Sequence, residues 1–217
     1  MPFPRNERFI GRKRELSLLE HTFLNGNGTE RTTAVLRGTG GMGKSAIALE
    51  YAYRYYKHYT AVFWFDMRKP ETITKDLLDV AKRIYPNRHE LTNDQRRVFP
   101  FMKESMIPPE VVEETRELVQ DWLAEEGNEH WLLILDGIDD LEAFSSGYQF
   151  YPLSSHGQII ITSCRTDSHR LGSVTIGVDE MDLYDSSSML LSSAGDYKLG
   201  EDEEQGESEA CIQYATT

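Results

Sequence analysis

One eight-residue segment, Gly38-Thr39-Gly40-Gly41-Met42-Gly43-Lys44-Ser45, constrains the fold of this sequence more than any other part of it. It matches the pattern G-x-x-x-x-G-K-[S/T], in which a glycine-rich loop wraps phosphate groups. A β-rich run at 33–37 precedes the segment, and helix formers at helical spacing follow it at 45–52. Because the pattern requires a strand before it and a helix after it, the segment predicts a phosphate-binding loop.

The residue types in this loop suit the binding of a nucleoside triphosphate. Its glycines allow successive backbone N–H groups to point at phosphate oxygens at the start of a helix. Lys44 is expected to reach the β- and γ-phosphates, and the Ser45 hydroxyl to ligate Mg²⁺. The alternative is a glycine-rich turn in which Lys44 only caps exposed carbonyl groups. The expected nucleotide contacts here are Gly38, Gly40, Gly41, Met42, Gly43, Lys44, Ser45 and Ala46.

The rest of the chain predicts an α/β fold. Continuous apolar runs, typical of strands covered on both faces, lie at 61–66, 131–135, 158–162 and 173–178. Helical patterns lie at 71–84, 110–126 and 186–193. Strands that alternate with helices indicate a parallel, doubly wound sheet. We therefore expect a P-loop NTPase three-layer sandwich with a five-stranded, mainly parallel sheet, and an irregular or weakly helical segment at 85–107.

Asp136 directly follows the apolar run 131–135. In a parallel sheet this carboxylate lies at the same edge as the phosphate loop, so Asp136 is expected to hold Mg²⁺ together with Ser45. A turn-forming aspartate is the alternative. Gly137 comes next, where many ATPases carry a second carboxylate that orients the attacking water. Asp139 is a substitute for that carboxylate, unless Asp139 and its neighbour Asp140 cap the following helix.

A third candidate position is the end of the strand at 158–162, which continues into Ser163, Cys164 and Arg165. Arg165 is placed to contact the γ-phosphate, and a surface arginine is the alternative. The candidate catalytic residues are therefore Lys44, Asp136 and Arg165. Cys164 is expected to be a small packed residue, because no His or Cys cluster accompanies it at zinc spacing.

Charge and composition exclude several classes of function. The net charge is −13, of which −10 lies in residues 178–217, where eleven acidic residues face only Lys198. Nonspecific nucleic-acid binding needs clustered Lys and Arg, so no nucleic-acid partner is expected. No apolar run approaches the roughly 20 residues of a membrane span. Without a secretory signal, and with only two cysteines, the chain is expected in the reducing cytoplasm.

Four sequence blocks follow one another along the chain. They are Phe9-Ile10-Gly11-Arg12 with Glu15, then GTGGMGKS at 38–45, WLLILDGIDD at 131–140 and GQIIITSCR at 157–165. With these blocks in this order, the chain resembles the nucleotide-binding domain of the STAND signalling ATPases over about residues 3–195, particularly the NB-ARC type of plant resistance proteins, apoptotic adaptors and fungal incompatibility proteins. The aromatic Trp64 also matches the second strand of such domains.

The resemblance implies an ATP/ADP-controlled switch in a receptor of innate-immunity or cell-death type. In such domains ADP holds a closed monomer, and ATP permits self-association and effector signalling. The resemblance also implies that Ile10, Gly11 and Arg12 contact the adenine side of the nucleotide, since an apolar pair beside a glycine lets the backbone lie against a purine. A strand edge before a helix is the alternative. No N-K-x-D guanine reader occurs, which favours adenine.

The sequence departs from the family pattern at two catalytic positions. Gly137 replaces a carboxylate, and in the T-[T/S]-R sensor the third residue is Cys164, with Arg165 one place later. These departures predict slow or absent hydrolysis. The other readings are a catalytically active P-loop ATPase or small-molecule kinase, and an interaction scaffold with a degenerate site.

The domain organisation is expected to be that of an excised domain. Residues 1–195 form the nucleotide-binding domain, and 196–217 form an acidic, flexible segment leading to missing downstream domains. In the full-length receptor an N-terminal effector domain and C-terminal repeats are expected.

Overall fold

A five-stranded parallel sheet forms the centre of the computed structural model, which describes residues 3–24, 30–85, 107–140 and 154–194. The strands are β1 (Thr32–Arg37), β2 (Ala61–Asp66), β3 (Trp131–Asp136), β4 (Gln158–Ser163) and β5 (Val174–Gly177). The α-helices are α1 (Lys13–Leu24), α2 (Lys44–Tyr55), α3 (Pro70–Ile84), α4 (Pro109–Ala124) and α5 (Leu183–Ala194). Short 3-10 turns occupy Tyr56–His58 and Thr166–Leu171.

The strand order is β2-β3-β4-β1-β5, and all four strand pairs are parallel. Arg37 at the end of β1 is in register with Ser163 of β4 and Gly177 of β5, and Asp66 of β2 with Asp136 of β3. The carboxyl ends of all five strands therefore lie at one edge of the sheet, where parallel α/β folds bind their ligands.

Helices pack on both faces of the sheet, with one buried hydrophobic cluster on each face, so the fold has three layers. Strand β3 contributes to both: Leu133 and Leu135 pack with α3 and α4, and Leu132 and Ile134 pack with α1 and α2. Every residue of β3 is buried, because successive side chains point to opposite faces and both faces are covered by helices. Each such side chain contributes about 1.5–3 kcal/mol of burial free energy.

The predicted α/β fold is confirmed, and the predicted strands and helices agree with the structure to within three residues at their ends. Helices α3 and α4 each begin with a proline at the first helical position, where the missing N–H group costs nothing. Helix α1 was not predicted as a separate element.

Most of the predicted irregular segment at 85–107, and the acidic segment 196–217, lie outside the described residues. Of the helices described, none combines the length and apolar character needed to cross a membrane.

Candidate nucleotide-binding site

The glycine-rich loop connects the end of β1 to the start of α2, as predicted. Gly41 and Gly43 adopt left-handed backbone angles, with φ of 83° and 86°. A β-carbon added at Gly40, Gly41 or Gly43 would meet no described atom within 4 Å, so this stretch of backbone is unobstructed from its outer side. At Gly38, in contrast, a β-carbon would lie 2.1 Å from the carbonyl oxygen of Val178. A concave backbone at a helix N-terminus fits a phosphate group.

Lys44 is the first residue of α2 and is only 8% exposed. Its Nζ donates hydrogen bonds to the carbonyl oxygens of Gly38 and Thr39, both at 2.8 Å, and lies 3.2 Å from the Sγ atom of Cys164. This is the carbonyl contact considered as the alternative role for Lys44. The ammonium thus lies on the loop itself, and its contact with phosphate stays a prediction.

Ser45 and Asp136 are brought together from two different elements. The Ser45 hydroxyl donates to Oδ1 of Asp136 at 2.5 Å, and the Thr162 hydroxyl donates to the same oxygen at 2.7 Å. The backbone N–H of Gly137 in turn donates to Oγ1 of Thr162 at 2.8 Å. Asp136 is 4% exposed. This network fixes the carboxylate beside the loop.

The oxygen atoms of Ser45 and Asp136 fit a magnesium ion. Hard oxygen ligands suit Mg²⁺, which usually keeps waters and substrate phosphates in its shell and takes only one or two protein ligands. Nowhere in the described ranges do three or more His, Cys, Asp or Glu side chains cluster as a metal site. The donor set therefore matches a cation shared with phosphate rather than a cage made of protein alone.

Arg12 connects residues 9–12, which we call the entry segment, to the loop. Its guanidinium donates to the carbonyl oxygens of Met42 and Asp179, each at 2.7 Å, and it lies 3.8 Å from Glu15. Arg12 itself has a φ of 58° and follows Gly11 at 73°. A β-carbon at Gly11 would lie 2.3 Å from Oδ2 of Asp185 at the start of α5. These contacts place the predicted adenine-side residues against the loop and α5.

Two recesses border this region. A cleft of about 590 Å³ lies beside the loop and is lined by Gly38, Thr39, Met42, Cys164 and residues 177–180 among others. A smaller recess of about 220 Å³ lies between Glu7, Arg8, Phe9 and Ile10 and the α5 residues Ser188, Leu191 and Ser192. Ser45 and Ala46 are exposed on the first turn of α2. The predicted nucleotide contacts thus surround the carboxyl edge of the sheet.

Arg165 lies at the start of the 3-10 turn after β4. Its guanidinium donates two hydrogen bonds to the Asp167 carboxylate at 2.8 and 2.9 Å, and its side chain is 46% exposed. The hydrogen bonds from Arg165 lower the pKa of Asp167 to about 2. The structure therefore places Arg165 at the carboxyl edge of the sheet, as predicted, but in a surface ion pair with Asp167.

Cys164 was predicted to be packed, and this prediction is wrong, since the residue is exposed. Burial on β4 ends at Ser163, the last strand residue. The Cys164 N–H donates to Oδ1 of Asp139 at 2.7 Å, which joins the exits of β3 and β4. The helix that Asp139 was expected to cap falls at residues outside the described ranges.

Arg68 is a residue of this edge that the sequence reasoning missed. Its Nε and Nη2 donate to the Asp66 carboxylate at 2.7 and 2.8 Å, and Nη2 lies 3.9 Å from Oδ2 of Asp136. Burial favours the neutral form of Asp66, but the hydrogen bonds and charge of Arg68 outweigh it and lower the pKa of Asp66. The signal in the sequence was a positive charge two residues after β2, because the end of β2 lies at the same edge of the sheet as Asp136.

Gly137 is constrained by both its backbone and its neighbour. Its φ is 84°, and a β-carbon there would lie 2.6 Å from Cγ of Arg68. Gly137→Ala is therefore expected to lower the free energy of unfolding by about 1–2 kcal/mol for the left-handed backbone alone, and further because Arg68 must move. Urea unfolding of Gly137→Ala and Gly127→Ala measures the difference, since Gly127 has a φ of 100° but no described atom within 4 Å of its added β-carbon. Equal losses in the two variants would show that Arg68 does not constrain this position.

Solved structures share this architecture. Cdc6p from Pyrobaculum aerophilum aligns with a TM-score of 0.59 at 17% identity, over 90% of this chain and 52% of its own. A STAND protein with a tetratricopeptide repeat sensor from Pyrococcus horikoshii aligns with a TM-score of 0.50 at 16% identity, over 98% of this chain and 28% of its own. The chain has the P-loop NTPase fold.

One curated protein is similar to this chain in sequence. A nucleotide-binding leucine-rich repeat (NLR)-like protein from Hyaloscypha variabilis is 26% identical over 209 residues, which cover 88% of this chain and 19% of the relative. No protein-family model matches the chain. The chain spans about a fifth of that relative, about half of the Cdc6p chain and about a quarter of the STAND protein. The resemblance to STAND-type P-loop proteins is thus confirmed.

Proposed function

We propose that this chain is an ATP/ADP-binding switch domain of a STAND-type signalling receptor. The observation that carries the proposal is the hydrogen bond of 2.5 Å between Ser45 and Asp136, directly beside the glycine-rich loop. It joins the two elements that a P-loop site needs, the loop at the start of a helix and the acidic strand end. The NLR-like relative and the shared fold support a nucleotide-binding, signalling-type domain.

The loop residues would hold the phosphates. The backbone N–H groups around Gly40, Gly41 and Gly43 would supply the anion nest, and these three residues carry no side chain. Lys44 would exchange its two carbonyl acceptors for charged phosphate oxygens, which add the attraction between opposite charges to the hydrogen bonds. Ser45 and Asp136 would hold Mg²⁺. That ion neutralises charge on the phosphates when bound.

The purine would lie on the entry-segment side. Ile10 lines the recess against α5, and Arg12 holds that segment to the loop at Met42. This placement would bring Ile10, Gly11 and Arg12 to one end of the nucleotide, with Lys44 and Asp136 toward the other.

Slow hydrolysis is part of the proposal. Gly137 offers no carboxylate to orient an attacking water. The nearest substitute, Asp139, accepts the Cys164 N–H at 2.7 Å, so its carboxylate already holds the exits of β3 and β4 together. Retention of nucleotide as a signal is therefore favoured over rapid turnover.

The rate of phosphate release tests the switch against the enzyme alternative. With saturating MgATP, the 217-residue chain is expected to release phosphate well below the ordinary enzyme range of about 1–1000 per second. ADP is the nucleotide expected to remain bound after gentle purification. Lys44→Ala sets the background rate. Release within the enzyme range, or transfer to an added acceptor, would favour a catalytic P-loop ATPase or kinase and overturn the switch proposal.

The proposal extends to the whole protein. The NLR-like relative is much longer than this chain and is named for leucine-rich repeats, which supports repeat domains beside a nucleotide-binding module; the proposal adds an N-terminal effector domain. Self-association of such a receptor in the cytoplasm would follow exchange of ADP for ATP. Light scattering of the full-length protein with each nucleotide tests this, and equal mass in both states would contradict it.

A further inference from the structure

Arg68 lies at the carboxyl edge of the sheet, with its Nη2 atom 3.9 Å from Oδ2 of Asp136. We propose that Arg68 is a specificity-determining residue that favours ATP over ADP by binding the γ-phosphate. This inference rests on the proposed function, and it adds a residue to the site that none of the four sequence blocks contains.

The position of Arg68 follows from its neighbours. Asp136 accepts from Ser45 through Oδ1, and its other oxygen, Oδ2, lies 3.9 Å from Nη2 of Arg68. In P-loop proteins the metal that the acidic strand end holds bridges the β- and γ-phosphates. A cation on the far side of that carboxylate from Ser45 therefore stands at the γ-phosphate end of the site.

Asp66 holds Arg68 in place at this edge. The two hydrogen bonds at 2.7 and 2.8 Å form a fork between guanidinium and carboxylate, and the Arg68 N–H donates to Oδ1 of Asp66 at 3.2 Å. Fixing a guanidinium in this way reduces the entropy lost when it binds a ligand. The side chain is nevertheless 59% exposed, so a phosphate can approach it.

The lack of a side chain at Gly137 leaves space for the Arg68 side chain. A β-carbon at 137 would lie 2.6 Å from Cγ of Arg68, so a glutamate at that position could not coexist with the observed side chain. A carboxylate side chain at position 137 and the observed Arg68 side chain therefore exclude each other. A guanidinium binds phosphate oxygens but cannot take a proton from water, so a site with Arg68 in place of that carboxylate suits recognition of ATP rather than its hydrolysis.

A simpler role for Arg68 predicts different measurements. If it only pairs with Asp66 and Asp136, it competes with Mg²⁺ for Asp136, and its removal should strengthen Mg²⁺ binding without changing the preference between nucleotides. If it binds the γ-phosphate, its removal should weaken ATP and spare ADP, whether or not Mg²⁺ is present.

Calorimetric titration of Arg68→Ala with ATP and ADP, each in Mg²⁺ and in EDTA, separates the two roles. ATP affinity is expected to fall about tenfold, the loss of one charged hydrogen bond at an accessible site, and ADP affinity to change less than about twofold. Lys82→Ala is the matched control, because it removes one positive charge from a surface ion pair on α3. Equal melting temperatures of the nucleotide-free variants confirm folding.

Two further results decide the outcome. Asp66→Asn is expected to reduce the ATP preference partly, because Arg68 keeps its charge but loses its fork. An unchanged ATP to ADP affinity ratio in Arg68→Ala, or a change seen only in Mg²⁺ dependence, overturns the inference. If the unmodified chain binds neither nucleotide, the proposed function itself fails. If the unmodified chain binds both nucleotides and Lys44→Ala binds neither, an unchanged ATP to ADP affinity ratio in Arg68→Ala contradicts only the inference about Arg68.

Discussion

Lys44→Ala is expected to abolish binding of both ATP and ADP to the 217-residue chain, with a loss of affinity of at least about 100-fold. The ammonium is nearly buried against the loop and makes two hydrogen bonds of 2.8 Å to its carbonyl groups. With nucleotide bound, the same group would supply charged hydrogen bonds worth about 1.5–3 kcal/mol each. Two such contacts account for the expected factor. Isothermal titration calorimetry with each nucleotide measures it.

The control for this experiment is again Lys82→Ala, which should bind both nucleotides as the unmodified chain does. Thermal unfolding without nucleotide checks that Lys44→Ala still folds, since the variant loses contacts within the loop. Undiminished affinity in a folded Lys44→Ala variant would mean that the loop does not hold the phosphates. The glycine-rich turn would then be the correct interpretation of the segment.

Asp136→Asn is expected to remove most of the Mg²⁺ dependence of ATP binding. Asparagine is nearly isosteric, and its amide oxygen can still accept from Ser45 and Thr162, so the network is retained while the negative charge is lost. The increase in ATP affinity that Mg²⁺ gives should fall by at least about tenfold, the loss that even outer-shell changes cause at metal sites. Titration of ATP with and without Mg²⁺ gives this ratio.

Asp79→Asn is the matched control, because Asp79 is a surface carboxylate paired with Lys82 on α3. Its Mg²⁺ dependence should equal that of the unmodified chain. If Asp136→Asn kept the full effect of Mg²⁺, the pair of Ser45 and Asp136 would be a structural hydrogen bond, and the metal would have to be held elsewhere.

The fold was predictable because its local sequence signals agree with one another. Strand β3 is an uninterrupted apolar run, which only a strand covered on both faces needs, and it ends in a carboxylate at the predicted edge. The loop at 38–45 has the glycines that its left-handed angles require. These features depend on short stretches of sequence, so their spacing was enough.

The parts of the site that were missed depend on strand order. Arg68 reaches Asp136 because β2 lies next to β3, and neighbours 68 residues apart in sequence carry no shared motif. Likewise, the hydrogen bond between Asp139 and Cys164 arises where the exits of β3 and β4 meet. The packed Cys164 was wrongly predicted because the residue falls one place beyond the end of burial on β4.

The central claim, that this chain binds adenine nucleotides through its phosphate loop, is tested most directly by thermal unfolding with MgATP and with MgADP. A ligand that binds only the folded state at 100 times its dissociation constant adds about 2.7 kcal/mol of stability. For a chain of this size we expect Tm to rise by about 5–10 °C with each nucleotide, and by nothing in Lys44→Ala. An unchanged Tm with both nucleotides at millimolar concentration, in a chain that unfolds cooperatively, would contradict the account.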